Sequence, residues 1–237
     1  MGATLQLIKR KAISLIEQRM SKTGTVLAVR AWQPDAVMEV DLHLPGVNMH
    51  KWTQAQHIKC KVADFEYRDY TPCGWDAETA TCTLIIHTGH DGAGARWARN
   101  LQSGDIISYV GIGSSMQKPA DNVHLVFLGD ESAIGHFVAL HQLAKRPLSV
   151  TGAIAFSEPA HQDAFREYFC DFGTVQAVVK TPGHDSNALL QWVAGHHFYS
   201  NTVFYLVGQI PVVVQLRNLL KAQGISGIQI KSQGFWK

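Results

Sequence analysis

The stretch Val123-His124-Leu125-Val126-Phe127-Leu128-Gly129-Asp130-Glu131-Ser132-Ala133-Ile134 decides the fold of this 237-residue chain. Residues 123–128 are apolar but for one histidine. They run through a Gly-Asp turn into a helix-length stretch, 132–144, with Ile134, Phe137 and Val138 on one face. A strand this apolar must be covered on both faces, the mark of a parallel βαβ unit. The rhythm continues downstream, with strands expected at 148–156, 175–179 and 203–207 and helical stretches around 164–169 and 188–197. A last helix carries Pro211 in its first turn and stops at Gly224, with Val212, Leu216 and Leu219 on one face. Sheets of this kind bind their ligands at the carboxyl ends of the strands.

Toward the N-terminus the period changes to two. Residues 26–29, 37–42, 57–62 and 81–86 read as short strands separated by turn-forming Pro, Gly, Asn and Asp, without intervening helices. Such spacing predicts a small antiparallel barrel. Ahead of it, Leu5, Ile8, Ala12, Leu15 and Ile16 recur at three- and four-residue steps among Lys and Arg, which predicts one amphipathic helix. Gln117-Lys118-Pro119-Ala120-Asp121 reads as a linker. The expected division is therefore a helix over 1–22, a barrel over 23–117 and an α/β domain over 118–237.

Composition excludes several classes. With 46% hydrophobic and 17% charged residues, the chain is neither disordered nor a coiled coil. A net charge of +2 lacks the basic footprint of a nucleic-acid binder. Cys60, Cys73, Cys82 and Cys170 show no C-x-x-C spacing, so free thiols in a reducing compartment are expected. No long apolar run points to membrane insertion, and Lys9, Arg10 and Lys11 interrupt any leader-like stretch, so a cytoplasmic protein is expected. His136 with His141, and His196-His197, have no Cys, Asp or Glu partner to complete a metal site, and none is expected.

Two segments carry candidate chemistry. In Arg68-Asp69-Tyr70-Thr71-Pro72, strand alternation puts Arg68 and Tyr70 on one face beside a hydroxyl. A guanidinium can grip a diphosphate bidentately, and an aromatic ring can lie against an isoalloxazine. The plain alternative is an exposed Arg and a core Tyr. In His87-Thr88-Gly89-His90-Asp91-Gly92-Ala93-Gly94-Ala95-Arg96-Trp97-Ala98, a glycine-rich turn leads from a strand into a helix, whose first amides and dipole favour an anion. It is neither a Walker A sequence nor G-x-G-x-x-G, and an ordinary connection is the alternative. His57, Lys59 and Lys61 alternate with Ile58, Cys60 and Val62, giving one basic strand face that is either solvated or attractive to an anion.

In this order and about 20 residues apart, these segments resemble the siderophore-interacting protein family. Its members are flavin-dependent ferric-siderophore reductases with a ferredoxin-reductase-like fold. The family's R-x-Y-T strand, Asp-containing turn, strand ending in His and G-P-A-S-x-W-A turn correspond to Arg68-Asp69-Tyr70-Thr71, Asp76, Ile85-Ile86-His87 and Gly92-Ala93-Gly94-Ala95-Arg96-Trp97-Ala98. Downstream, Gly129-Asp130-Glu131-Ser132-Ala133 resembles its G-D-E-T-A, Tyr205-Leu206-Val207-Gly208-Gln209 its A-G-E turn, and Gly234-Phe235-Trp236-Lys237 its closing G-Y-W-K/R. The chain departs at Cys73, Ala93, Ala95 and Gln209, where the family carries a basic residue, Pro, Ser and Glu.

The resemblance implies a six-stranded FAD-binding barrel followed by a parallel-sheet nicotinamide domain. FAD would be held by Arg68 on the diphosphate, Tyr70 stacked on the ring, Thr71 at its redox-active edge and the Gly92, Ala93, Gly94 and Ala95 amides on phosphate, with Cys73, His87, Trp97 and Trp236 alongside. NADPH or NADH would dock near Gly129, Asp130, Glu131, Ser132, Gly208 and Gln209. Lys59, Lys61, Lys231 and Lys237 would face a ferric siderophore or other ferric chelate, reduced to Fe²⁺ and so released by a hard oxygen chelator. Two other functions stay open: a related reductase with another acceptor, and a siderophore- or flavin-binding protein whose nicotinamide site has decayed.

Overall fold

The computed structural model describes residues 21–34, 36–168 and 174–236, so the expected helix over 5–20, Cys170 and Lys237 lie outside the described residues. The first half forms β1 (Lys22–Trp32), β2 (Val37–His43), β3 (Gln56–Ala63), β4 (Glu66–Tyr70), β5 (Pro72–Asp76), β6 (Thr81–His87) and β7 (Ile106–Ser114), with helix α1 (Ala93–Asn100) between β6 and β7. These strands make one antiparallel sheet in the order β4-β3-β7-β1-β2-β6-β5. Period two is obeyed where it matters. Val40 and Leu42, Ile58 and Cys60, Leu84 and Ile86 all point into one interior core with Met49 and Tyr109. Fully burying a side chain of this kind contributes about 1.5–3 kcal/mol.

The sheet curls into a barrel that is not closed by hydrogen bonds, and it has seven strands where six were expected. Both differences have one cause. The two edge strands, β4 and β5, are consecutive in sequence and separated by Thr71 alone. A stretch that reads as one strand breaks at Thr71, and its halves pair with opposite edges of the sheet.

The second half forms β8 (His124–Asp130), β9 (Ser149–Phe156), β10 (Thr174–Val179), β11 (Thr202–Gln209) and β12 (Ile230–Trp236), with helices α2 (Ile134–Leu143), α3 (His161–Tyr168), α4 (Asn187–Ala194) and α5 (Ile210–Ala222). All five strands are parallel, in the order β10-β9-β8-β11-β12. Continuous apolar strands are buried on both faces as expected: Leu125 and Phe127 of β8 pack toward α2 and α3, while Val126 and Leu128 pack toward α4 and α5. β12 was not expected from the sequence. It is an edge strand with Lys231, Ser232, Gln233 and Gly234 in its middle, and Ile230 alone among its residues is buried.

One core joins the two sheets. Trp32, Val37, Cys73 and Ile85 of the barrel share it with Phe127, Phe137, Phe156 and Tyr205. Gly135 on α2 makes the approach possible, because a Cβ there would come within 3.3 Å of the Thr71 carbonyl oxygen. Trp75 and Gln142 exchange backbone and side-chain hydrogen bonds across the junction, at 3.2 and 2.8 Å, and His161 Nε2 donates to the Pro34 carbonyl at 2.7 Å. Strand order reverses between β8 and β11, whose carboxyl ends, Asp130 and Gln209, therefore meet at the place where open α/β sheets bind ligands. Among the described residues no helix is long and apolar enough to cross a membrane, and Cys60, Cys73 and Cys82 are free and buried.

Candidate functional site

An open cleft of about 190 Å³ lies between the Thr71 break in the barrel and the carboxyl edge of the parallel sheet. The barrel contributes Arg68, Asp69, Tyr70, Thr71, Ile85, Ile86 and His87, and the glycine-rich turn contributes His90, Gly94 and Ala95. Ser132, Gly135 and His136 come from the β8–α2 turn, and Phe235 and Trp236 from the end of β12. Residues far apart in sequence meet here because β4 ends, and β5 begins, directly beneath the N-terminus of α2.

The residues expected to hold a flavin divide. Arg68 stands half-exposed at the rim, donating to the Tyr67 carbonyl at 2.7 Å with Glu66 3.5 Å away. Thr71 and Trp236 face the cleft, and the first-turn amides of Gly94 and Ala95 have no acceptor within α1 by helix geometry. Tyr70 lines the cleft. Its ring lies parallel to Trp97 at 5.6 Å, because α1 packs Trp97 behind β4, so Tyr70 presents what Trp97 leaves uncovered. Burial pushes the Tyr70 hydroxyl up, keeping it a neutral phenol. Trp97 and Ala93 line a separate shallow groove on the far side of α1. Gly92 caps the helix with its N–H donated to His90 Nδ1 at 3.1 Å. Cys73 does not reach the cleft: it is buried in the shared core and its thiol donates to the Thr83 carbonyl at 3.3 Å.

The residues expected at the nicotinamide end hold the turn together. Asp130 is buried; its Oδ1 accepts from Ser132 N at 2.9 Å and from the Ser132 hydroxyl, and its Oδ2 accepts from Gln209 N at 2.8 Å. One carboxylate thus ties the end of β8 to the end of β11. Glu131 is also buried and accepts from Ser157 N at 2.9 Å. It makes an ion pair with Lys180 Nζ at 2.5 Å and lies 3.6 Å from His87 Nε2. Burial pushes His87 down to about 4 in spite of that carboxylate, whereas His87 and Lys180 together hold Glu131 below its ordinary range although burial opposes them. Gly208 has a φ of +126°, and a Cβ on it would strike Asp130. What the nucleotide end offers to a ligand is therefore the Ser132 hydroxyl, which also accepts from Trp236 Nε1 at 3.2 Å, and backbone.

The expected basic rim is largely neutralised. Lys59 pairs with Asp69 at 3.2 Å, and Lys61 lies 3.6 Å from Asp64 and over the Phe65 ring. Lys231 is exposed on β12. Two groups line the cleft that sequence reasoning did not place there, His90 and His136, and two more, Lys180 and Gln117, hold residues beside it. His90 stacks on Trp236 at 6.2 Å, forming an aromatic strap over one end of the cleft. His136 is buried, with Nε2 2.8 Å from Gln117 Oε1 and Nδ1 3.1 Å from Thr71 Oγ1. The available signal was one polar residue on a helix otherwise apolar from Ile134 to Leu140.

The donor set fits a flavin dinucleotide: a half-exposed guanidinium and outward helix amides suit a diphosphate, and a hydroxyl with aromatic walls suits the edge and face of a flat heterocycle. No family model matches the chain, and no curated protein sequence matches it. Solved structures do match. A siderophore utilization protein from T. fusca superposes with a TM-score of 0.70 at 21% identity, covering 92% of each chain. The siderophore-interacting protein SipS from Aeromonas hydrophila gives 0.72 at 15% identity, over 92% of this chain and 91% of that one. The ferredoxin reductase in carbazole 1,9a-dioxygenase gives 0.76 at 16% identity, over 91% of this chain and 69% of that one. An antiparallel barrel-like sheet and a five-stranded parallel sheet meeting over one cleft are thus the fold this chain shares with siderophore-interacting proteins and ferredoxin-reductase-like proteins.

Proposed function

We propose that this chain is a flavin-dependent reductase that takes electrons from NADPH or NADH through FAD and delivers them to chelated Fe(III), releasing Fe(II). The observation that carries the reading is that one cleft is walled by both halves of the chain. Arg68, Thr71, Gly94 and Ala95 line it from the barrel half, and Ser132, at the strand-order reversal, and Trp236, at the end of β12, line it from the parallel sheet. When bound, the flavin supplies a two-electron acceptor for a dihydronicotinamide and a one-electron donor for ferric iron.

The chain's own residues would do the rest. Arg68 neutralises the diphosphate and fixes its register, with the amides of Gly94 and Ala95 as secondary donors. Thr71 would hydrogen-bond the flavin ring with its hydroxyl, and Tyr70 and Trp236 would limit the ring's movement and exclude water. Asp130 holds the ends of β8 and β11 together, so that a nicotinamide entering past Ser132 and Gly208 finds a fixed wall. In this reading the barrel unit is residues 23–117 and the nucleotide unit 118–237.

The rim favours a second acceptor class alongside the anionic chelate. With Asp69 and Asp64 beside Lys59 and Lys61, the basic face carries little net charge, so an uncharged acceptor fits equally well. Steady-state assays decide between them. Purified protein loaded with FAD and given NADPH or NADH should produce Fe(II), trapped by a chromogenic chelator, from ferric catecholate or hydroxamate complexes. Reduction of an uncharged quinone but of no ferric complex would overturn the ferric reading and leave a reductase with another acceptor.

A further inference from the structure

Thr71 sits at the point where the barrel edge breaks, and its hydroxyl ends a chain of three side chains drawn from three parts of the fold. Thr71 Oγ1 is 3.1 Å from His136 Nδ1 on α2, and His136 Nε2 is 2.8 Å from Gln117 Oε1, in the segment that joins the two sheets. His136 is 1% exposed and Gln117 7%, and the Phe235 ring stands edge-on to the imidazole at 5.7 Å. Burial alone pushes His136 down to about 3, so the ring is neutral at any working pH.

A neutral imidazole has one N–H. A carboxamide oxygen only accepts, so the hydrogen belongs on Nε2 and Nδ1 carries a bare lone pair. That lone pair takes the hydrogen of the Thr71 hydroxyl. The Thr71 oxygen is left with its own lone pairs toward the cleft, and with no hydrogen to offer it.

We propose that His136 is a positioning residue that locks the Thr71 hydroxyl as a hydrogen-bond acceptor facing the cleft, so that the site prefers the reduced form of a bound flavin. The inference rests on the reading of the cleft as a flavin site. Its chemical content is the difference between two oxidation states. The reduced ring carries a hydrogen on N5 and can donate it to Thr71; the oxidised ring carries a lone pair there and meets the locked oxygen without a hydrogen between them. Without His136 the hydroxyl turns freely and can donate to the oxidised ring, which removes the preference.

Two measurements test this. In the full chain without flavin, the ¹⁵N shifts of the His136 ring should show a neutral imidazole protonated on Nε2. A hydrogen on Nδ1 overturns the proposal whether or not flavin binds. In the FAD-loaded protein, His136→Phe should lower the ratio of affinities for reduced over oxidised flavin by about tenfold, about 30 mV for a two-electron couple. His136→Asn, which can keep an acceptor near the Nδ1 position, should retain more of it, and this variant serves if His136→Phe does not fold. In a Thr71→Val background either change should leave the potential where Thr71→Val alone puts it. Independent, additive shifts overturn the proposal, because a merely structural role for His136 would act without Thr71. A protein that binds no flavin overturns the reading of the cleft, whereas flavin bound with an unmoved potential overturns only the lock.

Discussion

Arg68 is a half-exposed cation lining the cleft, and its partner Glu66, at 3.5 Å, is itself half-exposed. Charge-assisted hydrogen bonds of this kind contribute about 1.5–3 kcal/mol. Arg68→Ala should therefore weaken FAD binding about 10- to 150-fold in a fluorescence titration; an unchanged dissociation constant would remove Arg68 from the site. The lysines act differently. Lys59 and Asp69 form one exposed pair, so Lys59→Gln uncovers an acid at the rim. KM for an anionic ferric chelate should rise about two- to fivefold, and the double change Lys59→Gln with Asp69→Asn should restore it. If the double change leaves KM as high as the single one, net charge at the rim does not govern the encounter. His136 and Gln117 show why such residues are hard to find in sequence. Neither belongs to a motif, and their role exists only because α2 and the 115–121 segment pack against the Thr71 break.

At the scale of elements, the turns after β8 and β11 matter more than the strands they end. Gly208 combines a φ of +126° with a Cβ position 2.6 Å from the Asp130 carboxylate. Gly208→Val would displace the carboxylate that joins the two strand ends, besides obstructing a donor. Its expected signature is a loss of about 1–3 kcal/mol of stability in chemical denaturation, together with slowed flavin reduction by NADPH. Slowed reduction at wild-type stability would mean that the residue only lines the donor's path. The strands themselves were legible to the degree that they are buried. β8, β9 and β11 announce themselves as apolar runs because helices cover both faces, and β3 and β6 by alternation because one face lies in the barrel. β12 was hidden because an edge strand needs few apolar residues. The split at Thr71 was hidden because nothing in Glu66-Tyr67-Arg68-Asp69-Tyr70-Thr71-Pro72 states that its two halves pair with opposite edges of one sheet.

Across the whole molecule, the shared core makes the cleft a junction whose shape depends on both sheets, and two buried histidines beside it set its tolerance of acid. His87 is pushed down to about 4 and His136 to about 3, both by burial. Unfolded, each would take up a proton near pH 6.5. Between about pH 6.5 and 4 the unfolded chain therefore binds more protons than the folded one, so stability falls as pH falls through that window and is unaffected by these groups above it. Glu131 is held low by His87 and Lys180 and adds a loss in the same direction as pH drops through its own folded value. Thermal melts should show Tm dropping steadily below about pH 6.5, and His87→Gln should shallow the slope. A Tm that stays level from pH 7 to 4.5 would mean that the histidines are solvated.

The central claim is that one cleft brings a flavin and a nicotinamide together, and anaerobic titration tests it most directly. The 237-residue chain is loaded with FAD, freed of excess, and mixed with NADPH and separately with NADH under argon while the flavin absorption band is followed. Stoichiometric FAD retention and bleaching of the band by at least one of the two nucleotides is the expected result. Retained flavin that neither nucleotide bleaches, or no retained flavin at all, would contradict the claim.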